Sequence, residues 1–175
     1  MRFSGPDKAK KFLAAFRLSS LPESESLAAA RPAGPVCGYP NADTWTNMPV
    51  APGVVLIGDA AGHNDPTIGQ GLSIAFRDAR MVLESLLEHK KWTTEIFMPY
   101  VHERRERMRR LRIIGQQTAI LRAEFTKAAR MRRKRAFERM ATNPDVGLAL
   151  SAVIVGHSRI PRRAFEQAQW DRLFE

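Results

Sequence analysis

The sequence has a single cysteine, Cys37, among its 175 residues. One thiol cannot form an internal disulfide or a multi-cysteine metal site, and such scarcity is typical of a reducing compartment. Long hydrophobic runs are also missing, since the longest strongly apolar stretch, residues 146–156, falls well short of the ~20 residues that span a bilayer. The charged start, residues 1–12, has no apolar run of the kind that a secretory signal needs. We therefore expect a cytoplasmic protein without a membrane segment.

Residues that commonly carry metals or covalent catalysis are scattered. The four histidines form no helical pair and no His/carboxylate cluster with the spacing of a metal site. No serine lies in the Gly-x-Ser-x-Gly context of a nucleophile elbow. We therefore expect no metal site, and no residue of the chain is assigned as a catalytic acid, base or nucleophile.

The positive charge of the chain is concentrated in one segment. Hydrophobic residues make up 44% and charged residues 26%, as in an ordinary folded domain, but the net charge is +10. Residues 103–139 hold 14 Lys or Arg against 4 Asp or Glu, which leaves 14 of each sign elsewhere. Any partner attracted by positive charge is therefore expected at residues 103–139.

The first part of the chain is predicted to be irregular. The spacing of Phe12, Leu13 and Phe16 predicts a short helix over residues 7–17, and residues 23–30 also fit a helix. Six prolines between residues 21 and 52 then break the chain into short extended pieces and turns. We interpret this proline-rich part as connecting structure at the edge of a domain.

The last part of the chain is predicted to be helical. After a break at residues 92–99, a helical region with a narrow apolar seam runs to about Thr142, as one helix or as two with a bend near Gly115. Residues 148–155 form an apolar segment that fits either a helix or a strand. An aromatic tail with Phe165, Trp170 and Phe174 follows.

The most informative stretch is VVLIGDAAGHNDPTIGQGLSIAFRDA, residues 54–79. The apolar run at residues 54–57 predicts a strand buried on both faces, and Asp59 follows its carboxyl end. Ligands of open α/β sheets bind outside the carboxyl ends of strands. Gly69 and Gly71 then allow close approach of the backbone, and the helix predicted from Gly71 directs its unpaired N–H groups and positive dipole end towards a ligand.

At these residues the chain resembles single-component FAD-dependent monooxygenases related to aromatic hydroxylases. The second flavin motif of that family has Gly-Asp-Ala-Ala, a proline seven residues after the Asp, and Gly-x-Gly three residues beyond the proline. The residues that fill those places here are Gly58, Asp59, Ala60, Ala61, Pro66, Gly69, Gln70 and Gly71. The resemblance implies an α/β fold: a partial Rossmann-like FAD-binding domain with one buried strand plus a helix, followed by a mainly helical carboxyl-terminal region.

The resemblance also implies roles for individual residues. The Asp59 carboxylate would accept hydrogen bonds from the ribityl chain, and Pro66 would lie near the isoalloxazine ring. The backbone amides from Gly69 through Gln70 and Gly71 to Leu72 would meet the pyrimidine edge of the ring. Asp78 matches an acidic residue on the helix of the motif.

Two positions depart from the family pattern. A histidine usually follows the Ala-Ala pair, whereas here Gly62 comes first and His63 one place later. Many members carry asparagine after Gly-x-Gly and a hydrophobic residue, where this chain has Ser73.

The resemblance further implies a function and a division of the chain. The expected enzyme uses FAD, NADH or NADPH as reductant and O2 to hydroxylate a small organic or aromatic substrate. Residues 1–50 would end a substrate domain or connecting segment, residues 51–91 would form the FAD-binding motif region, and residues 92–175 the helical carboxyl-terminal region.

A motif that should hold the ADP half of FAD is missing from the sequence. The family's first motif is strand, Gly-x-Gly-x-x-Gly and helix, and no such glycine pattern occurs in the 175 residues. We therefore expect a carboxyl-terminal portion: a truncated gene product, a misplaced start codon, or one half of a split protein whose separate partner chain carries the missing half.

The basic segment suggests an alternative function, a helical interaction module that binds nucleic acid or another acidic partner. Aromatic residues suited to base stacking are sparse there, with only Phe125 and Phe137. Glu103 with Arg107 and Glu106 with Arg110 have the i,i+4 spacing of charge pairs on an ordinary exposed helix. We therefore favour a solvated helix surface and do not expect nucleic acid as the partner.

Overall fold

The computed structural model describes residues 3–38 and 42–175. The chain divides into two compact units, residues 1–41 and residues 42–175. Helices hold 64% of the described residues, and the sheet has two strands. The predicted helical carboxyl-terminal region is therefore confirmed. Residues 39–41 of the predicted connecting segment lie outside the described residues.

The first unit contains two short helices. Helix α1 spans Lys8–Ala14 and α2 spans Ser24–Ala28, close to the two predicted positions. The Phe12 ring contacts Phe3 and Phe16 edge to face, with ring centroids 5.4 and 5.3 Å apart. Aromatic packing of this kind supplies the apolar contacts of α1.

The second unit begins with a small antiparallel hairpin. Strand β1, Val50–Ala51, pairs with β2, Val54–Val55, so that Val50 lies opposite Val55. The turn between them is Pro52 and Gly53, and Gly53 has a positive φ of 78° that suits glycine.

The prediction of a strand over residues 54–57 that is buried on both faces is wrong. Strand β2 covers only Val54–Val55, with Val54 51% exposed and Ile57 38% exposed. The apolar run predicted neighbouring strands on both sides. Among the described residues β1 is the only strand that pairs with β2, so the apolar side chains remain partly in solvent.

Five helices follow the hairpin: α3 Gly71–Glu88, α4 Met98–Arg122, α5 Lys127–Thr142, α6 Leu148–Val155 and α7 Gln167–Phe174. Helix α3 begins at the predicted residue, and residues 148–155 are a helix rather than a strand. None of the described helices has the length and apolar character required to cross a membrane.

The long helical region is two helices, but they do not separate near Gly115. Helix α4 continues through Gly115, and the break lies at residues 123–126. Thr126 caps α5 by accepting a hydrogen bond from the N–H of Ala129 at 3.1 Å. A glycine inside a helix costs about 1 kcal/mol, which the packing of α4 on both sides of Gly115 offsets.

Helix α4 is the centre of the second unit. Its residues Met108, Leu111 and Ile114 are buried against α3, α6 and the chain near Phe165. Nearer its start, Tyr100 and Val101 pack with Val50 of the hairpin and Phe97. Near its end, Leu121 packs with α5 and α7. The predicted apolar seam is therefore the core-facing side of α4. Phe125 and Ala128, which lie beyond the end of α4, are exposed.

Candidate functional site

The motif begins with a tight turn that rests on α3. Residues Gly58–Ala61 form one turn of 3-10 helix directly after the hairpin. Gly58 has a positive φ of 54°, and a Cβ atom there would lie 3.2 Å from Cβ of Ala75. Glycine at this position therefore permits both the backbone turn and its close packing on the first two turns of α3.

The Asp59 carboxylate is available to a ligand. Asp59 and Ala60 are exposed, whereas Gly58 and Ala61 on either side are buried. Within residues 3–38 and 42–175, no hydrogen bond or ion pair engages the Asp59 carboxylate. The turn is therefore anchored by its glycine and alanine while its one charged group faces outward.

The loop that leads to α3 has one buried, anchoring residue, and several of its other residues are exposed. Ile68 is buried in the core, and the Asp65 side chain accepts a hydrogen bond from the N–H of Thr67 at 2.8 Å. Pro66 is exposed, and Gly69 follows in the left-handed conformation with a φ of 65°. The Gln70 side chain is half-buried and donates from Nε2 to the carbonyl of Val153 at 3.4 Å.

Helix α3 starts at Gly71, and no side chain of the described residues caps its first N–H groups. Gly71 and Leu72 are exposed, and a Cβ at Gly69 or Gly71 would meet no described atom within 4 Å. An uncapped helix start attracts negative charge or hydrogen-bond acceptors. The turn that contains Asp59 and Ala60 therefore packs on α3 at Ala75, and the first residues of α3, Gly71 and Leu72, are exposed.

The side-chain amide of Asn64, in the same loop, lacks a hydrogen-bond partner among the described residues. Both its Nδ2 and Oδ1 atoms are screened from solvent and make no hydrogen bond within the described residues. A buried amide without a partner costs free energy, and such a group in a native protein usually has a ligand, an ion or a water to satisfy it. No sequence pattern singled out Asn64.

A buried ionic cluster of Asp78, Arg104 and Arg107 stabilises the turn that contains Asp59. Asp78 on α3 is 0% exposed and accepts hydrogen bonds from the N–H of Gly58 at 2.9 Å, Nε of Arg104 at 2.9 Å and Nη2 of Arg107 at 2.5 Å. Arg104 also donates to the carbonyls of Gly58 and Gly62 at 3.1 and 3.2 Å. Asp78 and Arg104 therefore hold both ends of the turn that presents Asp59.

The cluster continues through Glu103 to the protein surface. Glu103 accepts from Nε of Arg77 at 2.6 Å and from Nε of Arg107 at 3.1 Å. Burial opposes the charge on Arg107, but hydrogen bonds and charge attraction from Asp78 and Glu103 raise its pKa overall. Each buried charge is thus matched by a partner of opposite sign, the condition under which buried charges are stable.

Tyr100 connects this cluster to the hairpin. Its hydroxyl donates to the carbonyl of Leu56 at 2.7 Å, and the residue is fully buried. Burial and then the negative charge of Asp78 raise the pKa of Tyr100 above its ordinary value. Tyr100 therefore remains protonated and keeps the segment before Gly58 in place.

Sequence reasoning missed the roles of Arg104 and Arg107. The predicted solvated basic surface includes both arginines, and the prediction makes Glu103 and Arg107 an exposed pair. The prediction is wrong for these two arginines, which are 2% exposed. A signal was present, because Arg104, Arg107, Met108 and Leu111 recur at intervals of three and four and so share the buried face of α4.

The two departures from the family pattern have different outcomes. Gly62 has a φ of 123°, and a Cβ there would lie 2.4 Å from the carbonyl oxygen of Thr44, so a histidine would not fit. His63 instead pairs with Thr44, Nδ1 to Oγ1 at 2.8 Å, and holds the neighbouring segment. Ser73 is exposed on the first turn of α3.

The site has no grouping suited to a metal. Within the part of the chain that the structure describes, three or more His, Cys, Asp or Glu side chains do not come together in a way that would bind an ion. The groups that the site offers to a ligand are the Asp59 carboxylate, the side-chain amide of Asn64 and the backbone N–H groups at the start of α3.

Comparison with family models, with curated proteins and with solved structures finds no match. The functional case for this chain accordingly depends on its own residues and their geometry.

Proposed function

We propose that this chain provides the flavin-contacting segment of an FAD-dependent monooxygenase. The observation that carries the proposal is the free Asp59 carboxylate on a rigidly held turn beside the uncapped start of α3. Asp59 would accept hydrogen bonds from the ribityl hydroxyls, and the N–H groups of Gly71 and Leu72 would donate to the pyrimidine edge of the ring. The positive end of the α3 dipole favours the negative charge that a flavin gains on reduction.

The residues present fit a flavin on two further counts. No described atom lies within 4 Å of a Cβ at Gly69 or Gly71, so the loop leaves room for a ligand at both glycines. The unpaired amide of Asn64 lies in the same loop and can both donate to and accept from a polar heterocycle. Bound FAD would supply the redox and oxygen chemistry, with NADH or NADPH as reductant and a small organic or aromatic compound as substrate.

A second polypeptide segment belongs to this proposal. Helix α3 exposes a row of apolar side chains on one face, with Leu72 67% and Leu87 77% exposed, and Phe76 and Leu83 between them. These four positions lie within a narrow arc of the helix, since they are 4, 11 and 15 residues apart from Leu72. We infer that a further segment, which binds the ADP half of FAD, packs on this face of α3. This segment would belong to a longer chain or to a separate chain.

Substitutions on the exposed face of α3 should improve the behaviour of the chain alone. Phe76→Glu with Leu83→Glu removes apolar surface from solvent and should reduce light scattering, with a stability change of about 0.5 kcal/mol or less per site because more than half of each residue is exposed. Ile74→Glu, on the buried face of the same helix, should abolish cooperative melting. Loss of cooperative melting in the Phe76/Leu83 double variant would show that this face is packed within the chain and would contradict the inference.

Substitution of Gly71 by valine tests close approach of the flavin to the start of α3. A Cβ at Gly71 would meet no described atom within 4 Å, so stability should be unchanged while the valine occupies the space of the ring. We expect affinity for flavin mononucleotide, measured by fluorescence titration, to fall at least about tenfold. Gly115→Val is the matched control, because that helical glycine also has open space. Equal affinities of the two variants would place the flavin elsewhere.

A further inference from the structure

A basic pocket lies on the outer face of α4, away from the buried ionic cluster. Its lining residues are Asn47, His102, Arg105, Glu106, Arg109 and Arg112, and its volume is about 240 Å³. None of these residues was assigned to the flavin-contacting motif. The pocket therefore needs an explanation of its own.

Arg112 is held in place at this pocket without an acceptor for part of its guanidinium group. The guanidinium carbon lies 4.0 Å from the centre of the Trp45 ring, a cation–π geometry that fixes the side chain. Its Nη1 atom is screened from solvent and has no hydrogen-bond partner within the described residues. Stacking on an aromatic ring leaves the edge of a guanidinium free to bind an oxyanion.

Burial lowers the pKa of Arg112, and nearby positive charge on Arg104 lowers it further, while Asp43 opposes this shift. The charged form of Arg112 is thus under-compensated by its surroundings. An anion in the pocket would supply the missing compensation.

The remaining charges of the pocket also favour an anion. Three arginines and one carboxylate line it, which gives a net charge of +2 before His102 is counted. Glu106 is already engaged, because it accepts from Nε of Arg109 at 2.7 Å and from Nε of Arg110 at 2.8 Å. These partners lower the pKa of Glu106 to about 2, first through the hydrogen bond from Arg109, so Glu106 stays ionised without neutralising Arg112.

The pocket volume selects the size of the ligand. Sites for drug-sized molecules have volumes of roughly 300–1,000 Å³, so about 240 Å³ suits one or two phosphate groups rather than a whole dinucleotide. A diffuse nucleic-acid surface would need no pocket at all. Arginine binds phosphate oxygens with two parallel hydrogen bonds, which suits the free edge of Arg112.

The geometry points to a phosphate-binding site formed by Arg105 and Arg112, with Arg112 positioned by Trp45, that takes inorganic phosphate or the terminal phosphate of a small ligand. Arg109 lines the pocket but is engaged, since its Nε and Nη2 donate to Glu106 and its Nη1 donates to the carbonyl of Phe165. This site does not depend on the proposed flavin function. It would persist if the chain bound no flavin.

Titration of the full chain with inorganic phosphate, pyrophosphate and adenosine 5′-monophosphate, followed by calorimetry, tests this site. We expect saturable binding of inorganic phosphate with a Kd of about 1 mM or tighter, and at least about tenfold weaker binding in Arg112→Gln. Arg135→Gln, an exposed charge on α5 with no partner among the described residues, removes the same charge and should leave affinity unchanged within about twofold. Tighter binding of pyrophosphate or the nucleotide than of phosphate would identify a phosphorylated small molecule as the ligand; equal or weaker binding would identify phosphate itself.

Three results would overturn the site. The first is the absence of saturable phosphate binding by the wild-type chain. The second is an equal loss of affinity in Arg112→Gln and Arg135→Gln, which would indicate diffuse charge attraction. The third is binding of a single-stranded oligonucleotide that is weakened equally by both substitutions and is not displaced by phosphate, since a nucleic-acid surface would then account for the positive charge.

Discussion

Replacing Asp78 with alanine is expected to lower the free energy of unfolding by about 3–5 kcal/mol. The reason is that Arg104 and Arg107 would keep their charges in the protein interior without the carboxylate that each of them contacts. The N–H of Gly58 would also lose its acceptor. Removing one partner leaves the full desolvation cost of the others uncompensated.

Urea unfolding of three variants measures this effect against controls. Glu103→Ala, which affects a partner that is 23% exposed, should cost less than Asp78→Ala. Asp145→Ala, at an exposed carboxylate, should change stability by about 0.5 kcal/mol or less. If Asp78→Ala does not fold, the intermediate loss in Glu103→Ala still tests the cluster. Equal stabilities of all three variants would contradict the role of the cluster.

Replacing Asp59 with alanine should weaken flavin binding without destabilising the fold. Loss of a charge-assisted hydrogen bond costs about 1.5–3 kcal/mol, equivalent to a roughly ten- to hundredfold higher Kd. Because the Asp59 carboxylate is exposed and has no partner among the described residues, unfolding by urea should be unchanged. The two substitutions should therefore have opposite effects. Asp78→Ala should mainly lower stability, whereas Asp59→Ala should weaken flavin binding and leave stability unchanged.

A fluorescence titration with flavin mononucleotide distinguishes these patterns. Phosphate buffer in excess would occupy the Arg112 pocket, so that the measurement reports the isoalloxazine and ribityl groups. Asp145→Ala serves again as the control for loss of an exposed carboxylate. Unchanged flavin affinity in Asp59→Ala would remove Asp59 from the site.

Features that depend on local pattern could be predicted from the sequence. Helix α3 begins at Gly71 as predicted, because its periodic apolar residues and the glycines of the preceding loop are both local signals. Asp59 lies in the turn that follows the hairpin. The Rossmann-like arrangement around this turn stays a prediction.

Features that depend on distant partners could not be predicted. The run at residues 54–57 indicates a strand suited to burial, but burial requires neighbouring strands, and only β1 pairs with it here. The apolar stripe of α3 likewise indicated a helix without revealing that Leu72 and Phe76 face solvent. The charge of Arg104 suggested solvent, whereas a carboxylate 26 residues away on α3 makes its burial possible.

Nuclear magnetic resonance of the folded chain, titrated with flavin mononucleotide in phosphate buffer, tests the proposed function most directly, because it detects weak binding residue by residue. We expect saturable shifts of the backbone amides of Asp59, Gly69, Gly71 and Leu72 and of the side-chain amide of Asn64, and the loss of these shifts in Asp59→Ala. A well-dispersed spectrum in which these signals do not move, or in which the moving signals lie on α5 or α7, would contradict the proposed function.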